Sequence, residues 1–444
     1  MAKKLVLLGI AAILVCGMLF VIGCGGQQAT STTAAPVTTA APVTTAPPAT
    51  TATTAAPASS DTTAAPTGEV KTLKIGHAGW LGFFVGMDTD KCLKLRVKMI
   101  NDAGGIKVGN DTYKLELISY DTNNDQATAQ AVANKLIFQD KVQFIVWTDF
   151  FWNAVLPTTE QNKVITCGAD LTGTVLKPQY HYCFNTGVSN TSNAVLVGWF
   201  AKNYPDKKKV IMAVTDDNVG RPSVAIFTPV FKAFGLDSTF EFYPASATDL
   251  SALGTKIKTA NPDVMMAVGG TFQVYAAARQ AGWQGLIFNP GPTTADTMIA
   301  GVGDASLVEG AIGGGNPLEY DPAKTDAAQA FKAAWIKEYG KWEAPEVSGV
   351  AHFDAIITAI QKAGTLDTDK VADVIASGLE FDSPYGHARM IARPDLGNSR
   401  TVDSVTGQFI KKIVNGKAQL LEEVSMDDAL KYWQQQLDYQ AANK

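Results

Sequence analysis

The chain has 444 residues, too many for one ordinary hydrophobic core, so two or three folded units are expected. Apolar residues make up 46% and charged residues 18%, a balance that fits a soluble globular protein once the N-terminal segment is set aside. The formal charge of −5, with Lys207-Lys208-Lys209 as the longest basic run, excludes a nucleic-acid partner, which needs a basic stripe to neutralise phosphates.

At the N-terminus Lys3-Lys4 precedes an uncharged apolar run, Leu5–Ile22, and then Gly23-Cys24-Gly25-Gly26. A basic start, an apolar stretch and small residues before a cut make a secretory signal over residues 1–23. Val21-Ile22-Gly23-Cys24 is similar to a bacterial lipobox, which would lipidate Cys24 and tether the chain to a membrane. The competing reading is a transmembrane anchor, since the run is about the ~20 residues a bilayer needs. Both place the rest of the chain outside the cytoplasm. Residues 24–69 are nearly all Thr, Ala and Pro, with TTAAPV repeated at Thr32–Val37 and Thr38–Val43. Such a stretch buries no core and forms an extended, disordered linker.

The folded part is expected from residue 70. Thr72–Gly76 predicts a strand, followed by a glycine-rich loop that holds Trp80. Asp90–Ile100 predicts a helix closed by Gly104-Gly105, and Tyr113–Tyr120 alternates as a strand. Asp125 caps a helix over Gln126–Phe138, where Ala129, Val132 and Leu136 share one face. Val142–Trp147 and Val164–Cys167 are short, β-rich apolar runs, predicted as buried parallel strands with a crossover helix in Phe150–Asn162. Ligands bind at the carboxyl ends of such strands, here Thr148-Asp149-Phe150 and Ala169-Asp170.

A second alternating series predicts helices at Thr191–Asn203, Val224–Phe234, Asp249–Ala260 and Phe272–Gly282. Between them lie strands at Val210–Val214, Thr239–Tyr243, Val264–Val268 and Gly285–Asn289. Helices follow at Phe331–Tyr339, Ser348–Ala363 and Thr368–Ser377, then a hairpin in Arg400–Val424 around Asn415-Gly416. The fold class is α/β, with doubly wound sheets.

Asn101-Asp102-Ala103-Gly104-Gly105-Ile106, Tyr120-Asp121-Thr122-Asn123-Asn124-Asp125, the Gly168-Ala169-Asp170 turn and Tyr180–Thr186 together resemble the type I periplasmic binding proteins of the leucine/isoleucine/valine group. That resemblance implies two Rossmann-like lobes joined by three crossovers, near Gly187–Asn190, Asn316–Asp321 and Arg393–Asn398. Lobe 1 would comprise residues 70–186 and 320–395, lobe 2 residues 187–319 and 396–444. It implies a monomeric receptor of an ABC importer that closes on a small amino acid or related carboxylate or amide and hands it to permease subunits. An aromatic acid or amide as ligand, or a sensor role, are the alternatives.

The family's site carries over in part. Its hydroxyl floor survives at Thr148, beside Asp149 and Phe150; Ala169 matches a backbone-carbonyl position, while Asp170 stands where a hydroxyl is usual. Thr271 and Phe272 follow a second-lobe strand, and Gly291-Pro292 occupies the place of an ammonium-binding acid. The ammonium partner is then Asp170 or Asp149, and Asp170 could instead cap a turn.

No catalytic or metal site is expected. The four histidines show no metal-ligand spacing, and no nucleophile elbow or phosphate loop occurs, so neither an enzyme nor a cofactor is called for. Cys92, Cys167 and Cys183 are expected as free thiols, with Cys167–Cys183 the one plausible pair.

Overall fold

The computed structural model describes residues 70–443 apart from 171–174, 188–189, 218–219, 269–271, 292, 394–395 and 397–401. Cys24, the signal segment and the linker therefore lie outside the described residues, as do Thr271 and Pro292 of the expected site.

The chain begins with β1 (Val70–Gly79), α1 (Phe84–Asp102), β2 (Ile106–Val108), β3 (Asp111–Asp121), α2 (Gln126–Asn134), β4 (Phe144–Thr148), α3 (Trp152–Gln161), β5 (Ile165–Gly168) and β6 (Cys183–Asn185). It then runs through α4 (Asn190–Asn203), β7 (Lys209–Thr215), α5 (Gly220–Ala233), β8 (Asp237–Tyr243), α6 (Ser251–Ala260), β9 (Val264–Val268), α7 (Gln273–Gln280), β10 (Leu286–Asn289), α8 (Ala295–Val302) and β11 (Ile312–Gly315). It closes with α9 (Asp326–Tyr339), α10 (Ser348–Ala363), α11 (Thr368–Ala376), β12 (Glu380–Ser383), β13 (Gly386–Ala392), β14 (Val402–Thr406), β15 (Gln408–Val414), β16 (Lys417–Val424) and α12 (Met426–Ala442).

Two sheets result, in the orders β12-β13-β14-β6-β5-β4-β1-β3-β2 and β16-β15-β11-β10-β9-β7-β8. Each is covered on both faces. In the first, α1, α9, α10 and α11 pack one side and α2 and α3 the other. In the second, α4, α5 and α12 oppose α6, α7 and α8. This explains the unbroken apolar runs: β4 and β5 sit mid-sheet and meet helices above and below, so neither face of their pleat can be polar. α10 is buried on every side from Gly349 to Ile357, with His352 and Asp354 among its buried residues.

Local signals survive folding. Asp125 caps α2, its side chain accepting the Thr128 N–H at 2.8 Å. Gly104 and Gly105 leave α1 with φ of 108° and 95°, and a Cβ on Gly105 would lie 2.2 Å from the Tyr113 carbonyl oxygen. Asn415 and Gly416 both take positive φ, 52° and 70°, as a two-residue hairpin turn between twisted strands requires.

The three thiols are free and buried. Cys167 stands opposite Phe184 in the β5–β6 register, and both point into the α10 side of the sheet. Cys183 pairs with Thr166 and points to the α2–α3 side. Alternation across the pleat thus separates the pair that sequence spacing allowed.

One expectation is corrected. The third crossover does not lie near Arg393–Asn398: β14 joins the first sheet, antiparallel to β13 and parallel to β6, and the chain passes through Gly407 into β15. Alternation continues on both sides of Gly407, so periodicity cannot register the change of sheet. Ser425 caps α12, whose sparse buried face is Ala429, Trp433 and Gln436.

Candidate functional site

The carboxyl ends of β1 and β4 are adjacent, Gly79 standing opposite Thr148. A Cβ on Gly79 would fall 2.2 Å from Thr148 Oγ1, so only glycine lets these ends close up. From β1 the chain turns through Trp80, whose ring stacks on Phe83 at 4.8 Å and 14°. Phe83 meets Phe150 at 6.5 Å. The structure therefore brings Trp80 and Phe150 together, through Phe83, as one aromatic wall. Phe150 remains 51% exposed at its edge.

Asp149 explains why Phe150 projects. Its Oδ1 accepts the Trp147 indole N–H at 2.6 Å and the Phe151 backbone N–H at 2.8 Å, folding a tight turn between β4 and α3. Burial pushes its carboxyl up, against the hydrogen bonds that favour the anion. Asp149 thus serves the turn.

Ala169 is exposed just after the end of β5. Asp170 is buried, and its Oδ2 accepts the Val175 N–H at 2.8 Å. Asn185 clamps its backbone from both sides, accepting the Asp170 N–H at 3.3 Å and donating to the Asp170 carbonyl at 3.0 Å.

In the second lobe, Phe272 packs on Tyr275 at 6.3 Å and over Gly301 of α8. Its ring contacts stay within that lobe and do not join the Trp80 cluster. Gly291 receives a 3.4 Å hydrogen bond from the Asn289 side chain. The lip that follows is anchored from below by a buried ion pair: Lys411 on β15 lies 2.8 Å from both oxygens of Glu319 and also donates to the Thr293 carbonyl. Glu319 in turn accepts the Ala295 N–H at 2.5 Å at the start of α8.

Sequence reasoning missed the histidines beneath the floor. His77 Nε2 lies 2.9 Å from Thr148 Oγ1, and His352 Nδ1 lies 2.9 Å from Thr186 Oγ1 at the first crossover. Both rings are buried, and burial holds His352 down to about 3, so it is neutral. The available signal was a histidine inside the apolar strand Ile75-Gly76-His77-Ala78. Among the described residues, no group of three or more His, Cys, Asp or Glu side chains could hold a metal, and no helix is long and apolar enough to cross a membrane.

Solved structures share this fold. A leucine-binding protein of Thermotoga maritima is 19% identical, with a TM-score of 0.63, over 80% of this chain and 99% of that one. A solute-binding protein of an ABC transporter from Rhodopseudomonas palustris, in complex with 3,4-dihydroxybenzoic acid, is 22% identical, with a TM-score of 0.62, over 80% and 98%. A branched-chain amino acid transporter substrate-binding protein of Streptococcus pneumoniae, in complex with isoleucine, is 21% identical, with a TM-score of 0.64, over 80% and 99%. The family model described as periplasmic binding protein matches residues 75–405, spanning both sheets from β1 to β14. The two doubly wound lobes and their three crossovers are the architecture of that type, and the chain belongs to the periplasmic binding protein family.

Proposed function

We propose that the chain is the extracytoplasmic receptor of an ABC importer, and that its lobes close on a small carboxylate or amide with an aromatic or apolar body. The observation that carries the ligand class is the occupation of the floor acids. Asp149 and Asp170 each accept N–H groups of their own turns, and Gly291 stands where the resemblance expects an acid. One oxygen of each floor acid is thus already engaged by the protein's own N–H groups, while Trp80, Phe83 and Phe150 offer an aromatic wall. Relatives of the same fold bind both isoleucine and 3,4-dihydroxybenzoic acid, so the fold admits either class.

Thermal unfolding with benzoate, 3,4-dihydroxybenzoate and isoleucine separates the readings. A ligand at a hundredfold excess over its Kd adds about 2.7 kcal/mol of apparent stability. The two aromatic acids are expected to raise the midpoint, and small-angle scattering should show a smaller radius of gyration at saturation. Stabilisation by isoleucine alone would return the site to amino acids.

The tether belongs to the same proposal. Lipidation of Cys24 would keep the receptor beside its permease while the 24–69 linker gives it reach. Cys24→Ser is expected to release protein from the membrane with ligand affinity unchanged. A variant that stays in the membrane with its N-terminus uncleaved would support a spanning segment instead.

A further inference from the structure

β1 carries a histidine where a central strand ordinarily carries an apolar side chain. The two ring nitrogens of His77 face different partners. Nδ1 lies 3.5 Å from Asp90 Oδ1 on α1, and Nε2 lies 2.9 Å from Thr148 Oγ1 on β4. Lys94 holds the other oxygen of Asp90 at 2.6 Å. Burial raises the Asp90 carboxyl, but its polar neighbours His77, Lys94 and Ser119 outweigh it and keep the group well below the usual carboxylate range. Asp90 is thus an anion at neutral pH. From α10, His352 adds a neutral ring, so the charges near His77 are Asp90 and, behind it, Lys94.

An anion beside Nδ1 favours the proton on that nitrogen. When the ring carries that proton alone, Nε2 is an acceptor, and Thr148 spends its one O–H there. What Thr148 offers the cleft is lone pairs. It can receive an N–H or O–H from a ligand, but it has no proton left to donate to a carboxylate.

We infer that His77 sets the hydrogen-bond polarity of Thr148, and that a carboxylate docks on Thr148 only as one proton from the solvent is taken onto His77 Nε2. With both nitrogens protonated, Nε2–H donates to Thr148, whose O–H turns to the ligand, and the imidazolium stands between Asp90 and the bound anion. The only bond formed is N–H, and the buffer supplies the proton. A ligand that presents N–H or O–H to Thr148 takes up none. This rests on the proposed carboxylate reading of the site, with Thr148 at the head group.

The full chain has four histidines, and the His181 and His387 side chains are 45% and 47% exposed. His181→Gln/His387→Gln leaves only the two buried rings for nitrogen NMR. Thr148→Val, which keeps the side-chain shape, identifies the His77 signals by their shift. Without ligand, His77 is expected to carry its proton on Nδ1, and benzoate at saturation should protonate both nitrogens. Calorimetry in two buffers of different ionisation heat should give about one proton taken up per benzoate. Affinity should fall about tenfold per pH unit where the free ring is neutral. A ligand-free ring protonated on Nε2, or benzoate binding at Thr148 with no proton uptake, overturns the inference. Benzoate that does not bind at all overturns the carboxylate reading and its coupling, while the ligand-free spectrum still decides whether His77 sets the polarity of Thr148.

Discussion

Lys411→Met is expected to destabilise the protein by about 3–5 kcal/mol, the usual cost of removing one partner from a buried ion pair. Lys411 and Glu319 side chains are 2% and 5% exposed. Burial lowers the Lys411 ammonium, and Glu319 opposes that. Without the lysine, Glu319 is a buried carboxylate with no counter-charge, and the Thr293 carbonyl also loses its donor. Adding Glu319→Gln to Lys411→Met should recover much of the loss, because the uncompensated charge goes too. Urea unfolding of the single and double variants reads the coupling directly. A single variant within about 0.5 kcal/mol of the parent, the range of ordinary surface changes, would show that the pair carries no stability.

The second large effect is acid sensitivity from His352. Its ring is held from the ordinary 6.5 down to about 3, chiefly by burial. Such a histidine binds fewer protons folded than unfolded, so its contribution is intact above 6.5 and drains away as pH falls toward 3. The slope is about 1.4 kcal/mol per pH unit. Asp354, two residues on, is pushed up to about 6 by burial against the pull of Arg96. It works in the opposite sense between its ordinary 3.8 and 6, so the comparison with a variant matters more than the raw curve. His352→Gln should flatten the difference in stability between pH 6.5 and 4, measured by denaturant unfolding at each pH. Parallel curves for parent and variant would show that the ring is protonated in the folded protein.

The fold was legible because its signals are local. The apolar runs of β4 and β5, the Asp125 cap and the Asn415-Gly416 turn each announce themselves within a few residues. β14 and α12 were not legible for related reasons. Gly407 separates two strands of the same periodicity, and α12 buries only three widely spaced side chains among polar ones. At the candidate site, residue type said nothing of the hydrogen bonds. Whether Asp149 and Asp170 face a ligand or their own turns depends on Trp147, Phe151 and Val175 N–H groups whose placement only the folded backbone sets. His77 and His352 are brought together from 275 positions apart, and no spacing rule spans that distance.

The order of the strands where the lobes join has a mechanical meaning. β14 lies against β6, with Asp403 opposite Asn185, and its continuation β15 lies against β11, with Phe409 opposite Gly315. Thr191 donates to the Ser404 carbonyl at 2.6 Å, and Ser404 donates to that of Gly187 at 2.8 Å. The three connections are thus laid side by side, with the shortest, at Gly407, in the middle. A band of this kind flexes across its flat face and resists twist and shear in its own plane, much as a piano hinge permits a lid one rotation. The loop at β1 and the lip at β10 would then always meet along the same arc, so alignment of the two halves of the site is built into the joint before any ligand arrives.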